Sequence, residues 1–114
     1  GVQTCALPIW YVGDVARANL LAARCGIPAA GRLDDRAFNI GTGVATSVNE
    51  LAATLQRAAG TTLPVEHSPM RPGEQRRSFI RNGKARAVLG WAPDLALEAG
   101  LRATYDWFRA HAAS

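Results

Sequence analysis

The amino-acid sequence predicts an α/β fold in which short strands alternate with packed helices. Short runs of aromatic and β-branched residues are separated by longer segments whose apolar residues recur at helical spacing, and glycine or proline stands at most of the boundaries. The predicted order is strand, helix, strand, helix, strand, followed by a loop and two helices. With 114 residues, the chain is long enough for one small domain or for part of a larger one.

The first strand and helix are predicted close to the start of the chain. Residues 9–12 are aromatic and β-branched, which predicts a short strand. Asp14 stands where a helix N-cap is expected, and residues 15–24 are predicted to be helical. Residues 26–36 are rich in glycine, proline and charge, so we expect a surface loop there.

The middle of the chain contains the clearest helix signal. Residues 37–40 predict a second strand, which ends at the Gly41-Thr42-Gly43 turn. Ser47 and Glu50 have the spacing of a capping box, and apolar residues then repeat at helical intervals as far as Gly60.

The last part of the chain is predicted to be irregular and then helical. Residues 63–66 predict a weak edge strand, and residues 78–80 another short strand within a polar, basic stretch. Residues 84–89 predict a short helix that Gly90 ends. A final helix is predicted from an apolar face made of Leu97, Leu101, Thr104, Tyr105 and Phe108.

The composition is that of an ordinary globular protein. Hydrophobic residues make up 48% and charged residues 19% of the chain, which excludes the disordered class. No apolar run approaches the roughly 20 residues that a membrane-spanning helix needs, and no secretory signal is recognisable. The two cysteines lack metal-ligand spacing. We therefore expect a cytoplasmic protein without a metal site or a membrane partner.

The basic residues indicate an anionic partner or a solvated surface. The net charge is +4, and Lys84 is the only lysine among 13 basic residues. Arginine forks suit phosphate and carboxylate groups, whereas a nucleic-acid-binding module would place arginines on one face with interleaved aromatics. Here the arginines are scattered from Arg17 to Arg109, so we expect no nucleic-acid partner.

The Gly41-Thr42-Gly43 turn has two interpretations. A glycine pair after a strand, with Glu66 a little over twenty residues beyond it, resembles a dinucleotide-binding loop. However, Thr46 occupies the position of the third glycine, and the following helix has its own capping box. The pattern favours a tight turn, so we predict no cofactor-binding residue here. His67 and His111 stand alone in polar or terminal sequence and are predicted to be surface histidines.

Arg71 and Glu74 are the candidate site residues. They flank a Pro-Gly turn, which can direct a guanidinium and a carboxylate into one pocket. The arginine suits a diphosphate, and the carboxylate suits vicinal ribose hydroxyls. A salt bridge across a surface turn is the alternative, and the residues alone favour it.

Seven motifs in register carry a family resemblance. They are Tyr11-Val12-Gly13-Asp14-Val15-Ala16, Phe38-Asn39-Ile40-Gly41-Thr42-Gly43, Thr46-Ser47-Val48-Asn49-Glu50-Leu51, Arg71-Pro72-Gly73-Glu74, Lys84-Ala85, Leu89-Gly90-Trp91 and Leu97-Glu98-Ala99-Gly100-Leu101. From residue 10 to residue 108 the chain resembles the carboxy-terminal part of the NAD-dependent epimerase/dehydratase family. This is a family of extended short-chain dehydrogenases that includes UDP-glucose 4-epimerase-like members.

The resemblance implies an enzyme of which this chain is one part. The family's amino-terminal Rossmann domain binds NAD and carries a catalytic Tyr-x-x-x-Lys pair, which this chain lacks. Its smaller carboxy-terminal domain binds the nucleoside diphosphate of a UDP- or dTDP-sugar. Arg71 would then contact the diphosphate and Glu74 the ribose, while the fragment itself has no catalytic residue and is inactive. The parent would be a homodimer, and a stand-alone non-catalytic binding domain is the alternative.

Residues 1–9 and two capping positions depart from the family pattern. Residues 1–9 resemble a translated sequencing adapter, so residues 10–114 are predicted to form the partial carboxy-terminal domain. The alternative is a natural strand that enters at Pro8. Asn82 stands within the segment where the family has Asp-x-Ser, and Ala96 stands where it has a capping serine or threonine. We therefore expect weak starts for the last two helices.

Overall fold

Five helices and one pair of short strands form the regular structure described by a computed structural model, which covers residues 6–7, 9–27, 31–73, 78 and 80–112. In chain order the elements are β1 (Ala6–Leu7), α1 (Val12–Arg24), α2 (Leu33–Arg36), β2 (Thr46–Ser47), α3 (Val48–Ala59), α4 (Gly83–Leu89) and α5 (Leu97–His111). The described residues are thus mostly helical with few strands, and the predicted alternation of strands and helices is not observed among them.

The start of the chain differs from the prediction. Residues 9–11 form no strand, and α1 begins at Val12, three residues before the predicted start. Tyr11 is the N-cap, and Asp14 lies inside the first turn, where it is buried. The strand lies earlier: β1 pairs antiparallel with β2, with Ala6 opposite Ser47.

The other predicted strands are also absent from the described residues. Residues 37–40, residues 63–66, Ser78 and Ile80 have no strand structure, and Phe79 lies outside the described residues. A strand is defined by a ladder of backbone hydrogen bonds to a neighbouring strand, and among the described residues only β1 and β2 form such a ladder. The predicted surface loop is exposed at residues 31–36 but contains the short helix α2, while residues 28–30 lie outside the described residues.

Helix α3 is confirmed with the boundaries that its local signals predict. The Glu50 amide donates to Ser47 Oγ at 3.1 Å, and the Ser47 amide donates to Glu50 Oε2 at 2.8 Å. The Ser47 hydroxyl also donates to Glu50 Oε2, at 2.9 Å. The bonds from the Ser47 amide and hydroxyl lower the pKa of the Glu50 carboxyl, because they stabilise its charged form. Gly60 ends the helix in the left-handed conformation, at φ 70°.

The last two helices are confirmed, and their starts are as weak as the departures imply. Helix α4 begins at Gly83, one residue early, and α5 begins at Leu97. Neither Asn82 nor Ala96 donates or accepts a side-chain capping bond within the described structure. Packing against α3 therefore stabilises α5, and the core stabilises α4.

The core is small for a chain of this length. Ala18, Ala85, Leu89 and Trp91 form its buried cluster, and Trp91 is fully buried. The radius of gyration is 17.1 Å, whereas a compact domain of this size has a radius of about 13 Å. Many apolar side chains also remain exposed, among them Trp107 at 57% exposure. The described chain therefore buries only part of its apolar surface.

Candidate functional site

The buried carboxylate of Asp14 joins two of the sequence motifs. Its oxygens accept from the amides of Asp94 at 3.0 Å and Leu95 at 3.3 Å, and its backbone oxygen accepts from Trp91 Nε1 at 2.8 Å. The residue is only 2% exposed. Asp14 therefore fastens the first turn of α1 to the segment that leads into α5.

Arg17 also connects α1 to the segment that leads into α5. Its Nη2 lies 3.2 Å from Asp14 Oδ1, its Nε lies 3.0 Å from Asp94 Oδ2, and it also donates to the Ala92 carbonyl. Burial by itself raises the pKa of Asp14, but the amides of Asp94 and Leu95 together with Arg17 outweigh it and hold that pKa below its ordinary value. The pair is therefore charged and satisfied within the protein, with no oxygen directed at a ligand.

In the glycine turn, Gly41 is packed against the protein's own groups and Gly43 has a left-handed backbone. A Cβ added at Gly41 would lie 3.1 Å from Ile80 Cβ, and the Gly41 carbonyl accepts from Asn82 Nδ2 at 2.7 Å. Gly43 has a φ of 74°, and Thr42 Oγ1 accepts from the Val44 amide at 3.2 Å. This geometry supports the tight-turn interpretation, since the glycines serve chain reversal and close packing.

Lys84 also contacts protein groups. Its ammonium donates to the carbonyls of Asp34 and Ala37, the second at 2.9 Å, and lies 4.9 Å from the centre of the Phe38 ring. The residue four positions earlier is Ile80. Lys84 therefore ties the segment after α2 to α4 and has no tyrosine at catalytic spacing.

The candidate residue Arg71 lies on an exposed segment beside α3. All of residues 61–73 are exposed and lie outside helices and strands, and Gly73 has a φ of 85° in the turn that follows Arg71. Glu74 lies outside the described residues. The predicted pairing of Arg71 and Glu74 around one ligand therefore stays a prediction.

Two side chains of α3 that the sequence reasoning missed contact this segment. Gln56 Nε2 donates to the Leu63 carbonyl at 3.0 Å, and His67 Nε2 lies 3.0 Å from Asn49 Oδ1. His67 is exposed as predicted but is hydrogen-bonded. His111 is also exposed as predicted, and its Nδ1 lies 2.7 Å from the Trp107 carbonyl. The seven-residue spacing of Asn49 and Gln56, which places them on one helix face, was the available signal.

A cleft lies between the glycine turn, the start of α1 and the start of α5. It has a volume of about 210 Å³ and adjoins a second cleft of about 320 Å³. Ile9, Thr42 and Leu97 line both, and Arg71 lines neither.

The described residues contain no group of three histidine, cysteine, aspartate or glutamate side chains that could hold a metal ion. No helix in the described part of the chain is long and apolar enough to cross a membrane.

The chain is similar in sequence to curated UDP-glucose 4-epimerases, although no protein-family model matches it. It is 42% identical over 99 residues to the enzyme of Mycolicibacterium smegmatis, a match that covers 87% of this chain and 30% of that protein. It is 34% identical over 104 residues to the enzyme of Rhizobium leguminosarum bv. trifolii, with 91% of this chain and 31% of that protein covered.

Solved structures of UDP-glucose 4-epimerases are also similar to this chain over nearly its whole length. The UDP-glucose 4-epimerase of Thermotoga maritima, solved with UDP-glucose, superposes on 98% of this chain with a TM-score of 0.84 and 38% identity, using 34% of its own length. That of Bifidobacterium longum, in complex with NAD+ and UDP, superposes on 96% of this chain with a TM-score of 0.86 and 26% identity, using 31% of its own length. The chain thus spans about a third of these proteins, in agreement with the carboxy-terminal portion that the motifs predict. It therefore belongs to the NAD-dependent epimerase/dehydratase family of extended short-chain dehydrogenases, alongside the UDP-glucose 4-epimerases.

Proposed function

We propose that this chain is the sugar-nucleotide-binding end of an NAD-dependent nucleotide-sugar epimerase or dehydratase. The observation that carries the proposal is the match of nearly the whole chain to a third of enzymes that were solved with UDP-glucose, or with NAD+ and UDP. In this proposal the chain holds the nucleoside diphosphate, and the rest of the enzyme performs the chemistry. The chain by itself is then catalytically inactive.

The described residues do not fit NAD. Gly41 packs against Ile80 and its carbonyl accepts from Asn82, so the first glycine of the turn is occupied by protein groups where a pyrophosphate would have to approach. The capping box of α3 already occupies amides of its first turn, which is where a phosphate would otherwise bind. We therefore assign the binding of NAD to another part of the whole enzyme.

Arg71 is the residue that we assign to the diphosphate, and Glu74 to the ribose hydroxyls. Arg71 is exposed and precedes a turn at Pro72 and Gly73. A guanidinium fork can donate two parallel hydrogen bonds to phosphate oxygens. A carboxylate three residues later can accept from two vicinal hydroxyls. These two side chains would orient the sugar nucleotide without taking part in bond making.

The wider enzyme is proposed to be a cytoplasmic homodimer. Residues 10–114 form its partial carboxy-terminal domain, and residues 1–9 derive from an adapter.

The test is the dissociation constant of UDP for the whole enzyme, measured by calorimetry. Arg71→Ala should weaken UDP binding by about 2–5 kcal/mol, because it removes charged hydrogen bonds to the diphosphate. Arg71→Lys should recover only part of this, since a point charge cannot form the bidentate fork. The affinity for NAD should be unchanged.

The control is Arg57→Ala, on α3. Arg57 is exposed, donates to Thr54 Oγ1 at 3.0 Å and lies 3.9 Å from Glu98 Oε2, so its contacts stay on α3 and α5. Equal affinity of the Arg71→Ala and Arg57→Ala enzymes for UDP would show that Arg71 is a surface ion-pair partner and that the site assignment is wrong.

A further inference from the structure

The segment that carries Arg71 is fastened to α3 at two points. We call residues 61–71 the arm; it follows the end of α3 and is exposed throughout. Gln56 Nε2 donates to the Leu63 carbonyl at 3.0 Å. Further along, His67 Nε2 contacts Asn49 Oδ1 at 3.0 Å. An amide oxygen only accepts, so the histidine donates from Nε2 in this contact.

The spacing of the two contacts fixes the direction of the arm. Gln56 and Asn49 are seven positions apart on α3, which is about 10.5 Å along the helix axis. Leu63 and His67 are four positions apart, which is at most about 14 Å of extended chain. The arm can span this distance, and the order of the two contacts shows that it runs back along α3 toward its first turn. The arm therefore passes Asn49 four residues before it reaches Arg71.

Both ends of the stretch around Arg71 are attached to well-defined structure. Asn49 lies in the first turn of α3, between the Ser47 and Glu50 partners of the capping box. Past the arm, Ile80 packs on Gly41, and Asn82 donates to the Gly41 carbonyl. The contact at His67 is the last described hydrogen bond of the arm to α3 before Arg71. Its loss would remove the hydrogen-bonded attachment of residues 64–70 to α3.

We propose that Asn49 is a positioning residue of the sugar-nucleotide site. Its amide oxygen holds His67 and thereby fixes the course of the arm from which Arg71 reaches the diphosphate. The inference rests on the proposed function, because it requires Arg71 to bind the ligand. Ordering the backbone of a flexible segment costs conformational entropy. An arm that is already ordered spares the ligand part of that cost, which is how preorganisation raises affinity.

The experiment measures the dissociation constants of UDP and NAD for four variants of the whole enzyme that change the contact between Asn49 and His67. They are Asn49→Ala, His67→Ala, the double variant and His67→Gln. Each single alanine variant should weaken UDP binding by about two- to tenfold, the range that one hydrogen bond supports. The double variant should be no weaker than the singles, because both remove the same bond. His67→Gln should retain affinity, since its amide can donate to Asn49.

The matched control is Asn19→Ala, an exposed asparagine on α1. NAD affinity should be the same in all variants. If Asn49→Ala binds UDP as tightly as Asn19→Ala while Arg71→Ala binds weakly, the positioning role is wrong and the proposed function stands. Additive losses in the double variant would also overturn the positioning role, because the side chains would then act separately. If Arg71→Ala itself has no effect, the inference and the assignment of Arg71 both fail.

Discussion

Replacing Asp14 by asparagine should loosen the junction between α1 and the segment that follows Trp91. The carboxylate accepts from the amides of Asp94 and Leu95 and pairs with Arg17. Asparagine keeps one oxygen but turns an NH2 group toward donors. One of the two amide bonds is then lost, and a buried donor is left without an acceptor.

The expected magnitude follows from these contacts. A hydrogen bond to a charged group contributes about 1.5–3 kcal/mol. Arg17 is 33% exposed at its side chain, so water screens its attraction to Asp14, and we add less than about 1 kcal/mol for it. The sum is about 2–4 kcal/mol for the local contact. If the segment opens locally, hydrogen exchange of the Asp94 and Leu95 amides should accelerate by roughly 30- to 1,000-fold.

The assay is hydrogen exchange of the whole enzyme, followed by mass spectrometry of the peptide that contains residues 91–97. Asp106→Asn, an exposed aspartate on α5, is the control and should leave exchange in this peptide unchanged. Because the pKa of Asp14 is lowered in the folded protein, its stabilisation is complete above the ordinary aspartate pKa of about 3.9 and is lost as the pH falls through the lower folded value. Unchanged exchange in Asp14→Asn would refute the reasoning, since the amides would then depend on something other than the carboxylate.

Four further outcomes test the fold and the assignment of NAD binding to another part of the enzyme. Ser47→Ala should destabilise α3 by about 1 kcal/mol through loss of its cap, seen as faster amide exchange in the first turn of α3, with Ser68→Ala as the control. Gly41→Val should cost about 1–3 kcal/mol because its side chain meets Ile80, and an unchanged unfolding midpoint would contradict the close approach. The isolated chain should not bind NAD in calorimetry, and saturable micromolar binding would restore the cofactor interpretation of the glycine turn. It should also aggregate or unfold without cooperativity, because its small core leaves apolar residues such as Trp107 exposed; a sharp thermal transition of a monomer, followed by circular dichroism, would contradict this.

Local signals predicted the helices well. The Ser47 and Glu50 pair and the left-handed Gly60 lie within one helix, so the sequence of that helix contains the information that sets its ends. The apolar spacing of α5 continues over about three turns from Leu97 to Phe108 and likewise predicts that helix, although Ala96 provides no side-chain cap. The packing of α3 against α5 is the feature of these two helices that the sequence did not predict.

Strands and the Asp14 junction depend on residues far apart in the sequence. Residues 37–40 have strand-type composition, but composition cannot provide the neighbouring strand that defines the element. Asp14 was interpreted as an N-cap because the partners that bury it, Asp94 and Leu95, lie 80 and 81 positions away. Sequence periodicity contains no signal for such a contact.

The candidate site was only partly predictable for the same reason. Arg71 was selected by its turn and its motif, and the structure describes its exposed position without Glu74. The contact between Asn49 and His67 spans 18 positions and joins a helix to an irregular segment. Each residue alone looked like an ordinary surface side chain, and only their proximity gives them a role.

The most direct measurement is photoaffinity labelling of the whole enzyme with an azido-substituted UDP-sugar, followed by peptide mapping. We predict that the label attaches to peptides of this chain between residues 67 and 82 and that excess UDP prevents the labelling. Excess NAD should leave the labelling of these peptides in place. Labelled peptides that all lie outside this chain would contradict the proposal that it holds the nucleoside diphosphate.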